Sequence, residues 1–488
     1  MENRWVFLID RYEGMAAKGI NLLSGAVSAS LPYVLPVLCI DTVTDAEIEE
    51  NNLIVAGSPK SNRILAELVN SGALSVPDDP EGYGIYVGES IYDPEKQIIA
   101  IGGYHDRGIL YGCVDFCNQY CGMIGNQRGY LHAEHFFEKA FNVKMPEWKY
   151  SAVPAIKTRA LWTWGHVIYD YRRFFDNMLM LRLNEIVIWN DRAPINGREV
   201  VAYAHALGIK VIWGFSWGWD QKCARIADAF TPESAAALKS KVLKTYEEEY
   251  AKLGGDGIYF QSFTEMTAEA ADGKPVAELV TELVNDIAGE LLEIHPGLHI
   301  QFGLHATSVK TRLEILQRTD KRIYIVWEDC GAFPYAYDPD SIENFEETYG
   351  FTEKIVSLRG RDELFGCVLK GLLNLDWTNF EHFSKPYILG EKNEIYLHER
   401  SVRKNKSWKV IQAAWLKNAV YAQKIIALIA EKGGVPVVEA LVEDAMFEKD
   451  VFFPVAVYAE LLWTPGRELG ELIECVSNYP SVTFANLK

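Results

Sequence analysis

From Thr158 onward the chain repeats one pattern: a short β-rich run, then a stretch whose apolar residues recur at helical spacing. The β-rich runs fall at 158–164, 185–191, 209–215, 256–264, 298–305, 322–328 and 364–372. Helical patterns fall between them at 170–184, 196–208, 231–253, 274–294, 309–319 and 341–359. Parallel neighbours need a long crossover, and a helix supplies one, so this order predicts a parallel sheet covered by helices. Tyr171, Phe174, Phe175 and Met178 illustrate the apolar stripe with which such a helix packs on the sheet.

Seven strands approach the eight of a (β/α)8 TIM-type barrel. Both Val437–Val442 and Val455–Trp463 have the composition to close it, and the sequence leaves that choice open. A long helix is expected between Ser407 and Lys432, where Trp408, Ile411, Trp415 and Leu416 recur on one side. Before the barrel, β-rich runs at 4–10, 34–40, 52–57, 83–88 and 97–103 enclose helical patterns at 13–28, 61–72 and 106–121. The expected fold class is α/β, a small N-terminal α/β domain followed by the barrel and a C-terminal helical extension. The expected limits are 1–150 for the small domain with its linker, 151–400 for the barrel, and 401–488 for a helical region able to complete it.

A surplus of acids, 67 against 48 basic residues, gives a formal charge of -19 and a field that repels phosphate backbones and anionic lipid. Nucleic acid and membrane are therefore not expected partners, and the first ten residues read as a strand rather than a secretory leader. Eight cysteines without paired ligand spacing suit a reducing compartment, so a cytoplasmic protein is expected. Cys113, Cys117 and Cys121 lie on one helical pattern and read as small buried side chains. No His-x-His or His-Glu-x-x-His pattern is present, and neither a metal nor another cofactor is expected. Assembly into a homo-oligomer is left open.

Barrel chemistry gathers at the carboxyl ends of the strands. Those ends offer Trp164 and His166, then Trp189, Asp191 and Arg192, then Trp217, Trp219 and Asp220, then Glu265, His305, Glu328, Asp329, Asp376 and Trp377. Alternation places Tyr259, Gln261, Phe263 and Glu265 on one face, and Tyr324, Val326 and Glu328 on the inward face of the sixth strand. Two carboxyl groups across a sugar-sized space divide the work of glycoside cleavage, one protonating the leaving oxygen and the other serving as base or nucleophile. Glu265 is the candidate acid, and Glu328, with Asp329 competing, its candidate partner; the bland alternative is loop charge or an ion pair to Arg192. In Trp213–Trp219 aromatic rings alternate with Gly or Ser, which leaves flat faces for a sugar at Trp217 and Trp219, while Trp213 and Phe215 belong to packing. His166 and His305 are candidate donors to sugar hydroxyls. Lys370 interrupts an apolar seventh strand and Arg159 opens the first, putting positive charge in or beneath the site for an anionic sugar or a buried carboxylate.

Three segments carry a resemblance: Ile54-Val-Ala-Gly-Ser-Pro-Lys-Ser-Asn62, Gly82-Tyr-Gly-Ile-Tyr-Val87 and Ile98-Ile-Ala-Ile-Gly-Gly-Tyr-His-Asp-Arg-Gly-Ile-Leu-Tyr-Gly112. They resemble the small domain that precedes the catalytic barrel in β-N-acetylhexosaminidases and α-glucuronidases. In the second family an acid Glu follows the fourth strand, and Asp256-Gly-Ile-Tyr-Phe-Gln-Ser-Phe-Thr-Glu265 is similar in placement, which implies Glu265 as general acid. Hexosaminidases that use the substrate's acetamido group carry Asp-Glu there, and here Thr264 stands at the Asp position; Glu328-Asp329 offers such a pair from another strand. The resemblance implies an exo-acting glycoside hydrolase with a carbohydrate substrate, the sugar open between uronic acid and N-acetylhexosamine. The competing expectation is a carbohydrate-binding protein that keeps the fold without turnover.

Overall fold

The computed structural model describes residues 4–28, 31–121, 144–164, 168–190, 192–218, 223, 225–305, 307–330, 344–360, 362–372, 385–432, 434–442 and 447–485, with the side chains of Trp164, Asp329 and Cys330 outside that description. The chain forms two compact units, one of residues 1–155 with 206–208 and 470–482, the other of 156–205, 209–469 and 483–488. No helix among the described residues is long and apolar enough to cross a membrane.

In the first unit six strands form one sheet in the order Val37–Cys39, Trp5–Ile9, Asn52–Gly57, Gln97–Gly102, Tyr83–Glu89, Trp148–Ala152. Trp148–Ala152, which the sequence reading left in the linker, adds an antiparallel edge to Tyr83–Glu89. Helix Gly14–Ser28 buries Ala16, Gly19, Ile20, Leu23 and Val27, the helical spacing visible in its sequence. A side chain at Gly19 would press on the Leu110 backbone, so glycine sets how closely this helix meets Asp106–Asp115. Cys113 and Cys121 are buried in the same layer, and burial raises both thiols well above their ordinary range.

The second unit is a closed barrel of eight parallel strands. In chain order they are Thr158–Trp164, Glu185–Trp189, Lys210–Gly214, Gly257–Gln261, His299–Leu304, Ile323–Cys330, Leu364–Leu369 and Val435–Leu441. The last resolves the open choice of closing strand: Val435–Leu441 pairs with both the seventh and the first, whereas Phe453–Trp463 is a fully buried helix starting at a Phe-Pro pair. The long helix runs Glu394–Lys432, thirteen residues longer at its start than expected. Asp170 caps the first outer helix by accepting from the Arg173 amide, and Thr231 caps Pro232–Thr245 through the Ser234 amide.

Inward residues on alternating strand positions include Ala160, Trp162, Val187, Trp189, Ile212, Tyr259, Tyr324, Val326, Val368, Val437 and Leu441, which pack as one cluster. The outward set faces the helices, as Trp327 does in donating its indole N–H to Thr352 on Phe345–Val356. Arg159 lies outside the expected role beneath the site. Fully buried, it donates to the carbonyls of Arg182, Ile156 and Lys157 at the entry to the first strand.

Candidate functional site

Glu328 forms the centre of the described polar groups at the carboxyl end of the barrel. It is 2% exposed, inward from the sixth strand. The Tyr259 hydroxyl donates to its Oε1 at 2.6 Å, and the Gln261 amide nitrogen lies 2.9 and 2.6 Å from its two oxygens. His305 Nε2 stands 2.9 Å from Oε2. Tyr259 and Gln261 come from the fourth strand and His305 follows the fifth, so three neighbouring strands converge on one carboxylate.

Glycine makes this convergence fit. At Gly303, between the fourth and sixth strands, a β-carbon would collide with Glu328 Oε1 and with the Tyr259 hydroxyl. The sixth strand also carries an irregularity: Trp327 pairs with Cys367 but Cys330 with Leu369, one residue more on this strand than on its neighbour. Such a bulge falls across Glu328 and Asp329 and breaks the alternation that would otherwise direct successive side chains.

Burial pushes the Glu328 carboxyl upward, but the charges of His305 and Lys370 and the hydrogen bonds from His305 and Tyr259 reverse this and hold it at about 2. The ionised form of Glu328 is thus favoured by the charged and hydrogen-bonding groups around it. Tyr259 moves the other way: burial first, then the nearby negative charge of Glu328, raises its hydroxyl well above the ordinary range, and it stays a donor. Lys370 is 7% exposed and acts on Glu328 and also on Glu439 of the eighth strand, so its structural setting is among barrel carboxyl groups.

Glu265 has a different environment from the one alternation suggested. The fourth strand stops at Gln261, and Phe263–Glu265 forms a turn of 3-10 helix that leaves Glu265 exposed. Ser308 fixes this turn by donating its hydroxyl to the carbonyls of Phe263 and Thr264. Thr264 is buried and its hydroxyl accepts from the His305 backbone N–H at 3.2 Å, so the residue at the Asp position ties two loops together.

The aromatic candidates divide. Trp217 has no exposed surface and stacks on Phe260, ring centroids 3.7 Å apart, on the helix side of the barrel wall. The expectation that its face meets a ligand is corrected by this placement: the chain beyond the third strand keeps pairing with the fourth, Trp217 N donating to the Gln261 carbonyl, and folds the ring behind the strand. Trp189 is buried inside the barrel, edge-on to Tyr259 and beside Trp162. Trp213 and Phe215 pack against Tyr250. Arg192 is exposed and pairs with Glu249, not with a candidate acid. His166, Asp191, Trp219, Asp220, Asp376 and Trp377 lie outside the described residues, and Trp164 and Asp329 are described in backbone only.

Three residues were absent from the sequence-based site: Tyr259, Gln261 and Gly303. The first two share the inward face ahead of Glu265, and a polar tip on an inward position at the strand end or two residues before it was the available signal. Among the described residues no cluster of three or more His, Cys, Asp or Glu side chains is arranged to hold a metal ion.

No protein-family model matches the sequence, and no curated protein matches it. Solved structures do match in fold. The structure of CpGH84B is 12% identical, covers 96% of this chain and 69% of its own, with a TM-score of 0.52. A mutant β-hexosaminidase from Streptomyces plicatus, in complex with its product GlcNAc, is 12% identical, covers 98% of this chain and 91% of its own, with a TM-score of 0.50. CpGH84D matches at 14% identity and a TM-score of 0.44 over 75% of this chain, which spans 57% of that protein's length. At this identity the likeness establishes the fold, a TIM-type barrel of the kind found in glycosidases.

Proposed function

We propose that the protein is a glycoside hydrolase acting at the ends of oligosaccharides or on simple glycosides. The observation that carries the reading is Glu328: a buried carboxylate at the carboxyl end of a barrel strand, bonded by Tyr259 and Gln261 and beside His305, in a fold that the Streptomyces plicatus β-hexosaminidase shares. An oxocarbenium-like transition state is stabilised by such a charge, and a carboxyl held at about 2 cannot serve as the acid. The acid role is therefore assigned to Glu265, exposed at the end of the turn that follows the fourth strand. Asp329, at the bulge, is the competing partner for water or the anomeric carbon. Hexosaminides and glucuronides are the proposed substrate classes, and a reducing cytoplasmic setting belongs to the same proposal.

Purified protein assayed against nitrophenyl N-acetylhexosaminides, glucuronides and hexosides tests the reading. Glu265→Gln should abolish cleavage of glycosides with poor leaving groups while sparing much of the activity on activated aryl glycosides. Equal loss on both removes Glu265 from the acid role. Sugar binding by calorimetry with no turnover across the panel would overturn the hydrolase and leave a carbohydrate-binding protein.

A further inference from the structure

The lumen of this barrel is unusually polar. Barrels of this kind are ordinarily filled by branched apolar side chains in layers. Here Glu185 and Gln301 pair at 2.7 Å near the strand starts, Glu328 and Lys370 stand at the strand ends, and Glu439 projects from the eighth strand between them. Glu439 has no solvent exposure, and its strand neighbours in register are Val368 and Ala160. Neither of its carboxyl oxygens has a hydrogen-bond partner, and the amide oxygens of Gln301 and Gln261 are likewise unpaired.

The unpaired atoms are thus four acceptors on three inward side chains. An orphaned buried polar atom costs about 1–3 kcal/mol, so leaving all four unmet is unfavourable. Protonating Glu439 turns one oxygen into a donor and leaves three acceptors still wanting. Water brings two donors to such a site and typically makes roughly three hydrogen bonds when buried. We propose that the lumen contains a buried water site anchored on Glu439, which joins the Glu185–Gln301 pair to Glu328 and Lys370 at the strand ends and lets Glu439 exchange its proton without unfolding of the barrel. The groups facing Glu439 agree with a neutral carboxyl there. Burial and the charges of Glu185 and Glu328 raise it well above the usual range against the pull of Lys370, and it is felt in turn by Tyr259 and Tyr458.

The site stands independently of sugar turnover, and so does its test. A high-resolution crystal structure of the whole protein should show an ordered water at about 2.6–3.2 Å from Glu439, retained in Glu439→Gln and missing in Glu439→Leu. Infrared spectra at neutral pH of Glu185→Gln, which lacks the other carboxyl protonated there, should show a protonated-carboxyl band that adding Glu439→Gln removes and that shifts within minutes in D2O under native conditions. A dry lumen with Glu439 bonded to a protein group overturns the proposal, as does a cation coordinated by these oxygens. A Glu439 band that exchanges only on unfolding overturns it too, whether or not an ordered water is seen.

Discussion

Glu185 offers a direct measurement of what the barrel interior does to a charge. It is 1% exposed and accepts from the Gln301 amide, and burial, opposed by Lys210 and by that hydrogen bond, pushes its carboxyl up to about 7 from 4.5. Below 4.5 the folded and unfolded chains both carry the proton, so Glu185 contributes nothing to the pH dependence. Between 4.5 and 7 the unfolded chain releases it and the folded chain keeps it, so stability falls as pH rises. The full cost is present above 7, and the shift corresponds to roughly 3 kcal/mol at about 1.36 kcal/mol per unit. Glu185→Gln keeps the acceptor for Gln301 and removes the titration. Urea unfolding at a series of pH values should give variant and wild-type curves separated by a constant offset at acid pH. They should then diverge by roughly 3 kcal/mol in favour of the variant on the alkaline side. Glu439 contributes to the wild-type slope with the same sign, and survives in the variant. Curves that remain parallel across the range would refute the reasoning, because Glu185 would then titrate alike in both states.

Glu328 should behave in the opposite sense. Its lowered carboxyl stabilises the fold above the ordinary carboxylate range and loses that effect as pH falls through about 2, so Glu328→Gln should cost roughly 3 kcal/mol at neutral pH and progressively less in acid, read by the same urea unfolding series. Trp217→Ala should destabilise by about 3–5 kcal/mol, as for a large buried ring, while calorimetry of the folded protein finds sugar affinity unchanged; lost affinity at wild-type stability would return the ring to the site. Gly303→Ala should displace Glu328 or Tyr259, costing about 1–3 kcal/mol by overpacking and lowering turnover of any glycoside the wild type cleaves.

The sequence determined the barrel because its evidence is local. Seven of the eight strands and the helices between them announce themselves by period, and each helix supplies the crossover a parallel neighbour requires. The inward face of the sixth strand was legible for the same reason, since side-chain direction in a regular strand is fixed by parity from Tyr324 to Glu328.

Parity fails where hydrogen bonding along the strand stops, and that is decided between elements. Gln261 ends the fourth strand because Ser308 and Thr264 bind the following turn, which carries Glu265 out of the inward row. The pairing of Trp217 with Gln261 sends an aromatic ring behind the wall, although its Gly- and Ser-spaced neighbours suggest exposure. Val435–Leu441 and Phe453–Trp463 are both apolar runs of strand-like composition, and only the register against the first and seventh strands selects one. With that selection Glu439 enters the lumen, where its charge, like those of Glu185 and Glu328, is governed by groups distant in sequence. Local pattern thus specified which residues form the walls, while tertiary structure set the dielectric and the partners of each carboxyl, because electrostatic free energy depends on everything within several ångströms and not on chain order.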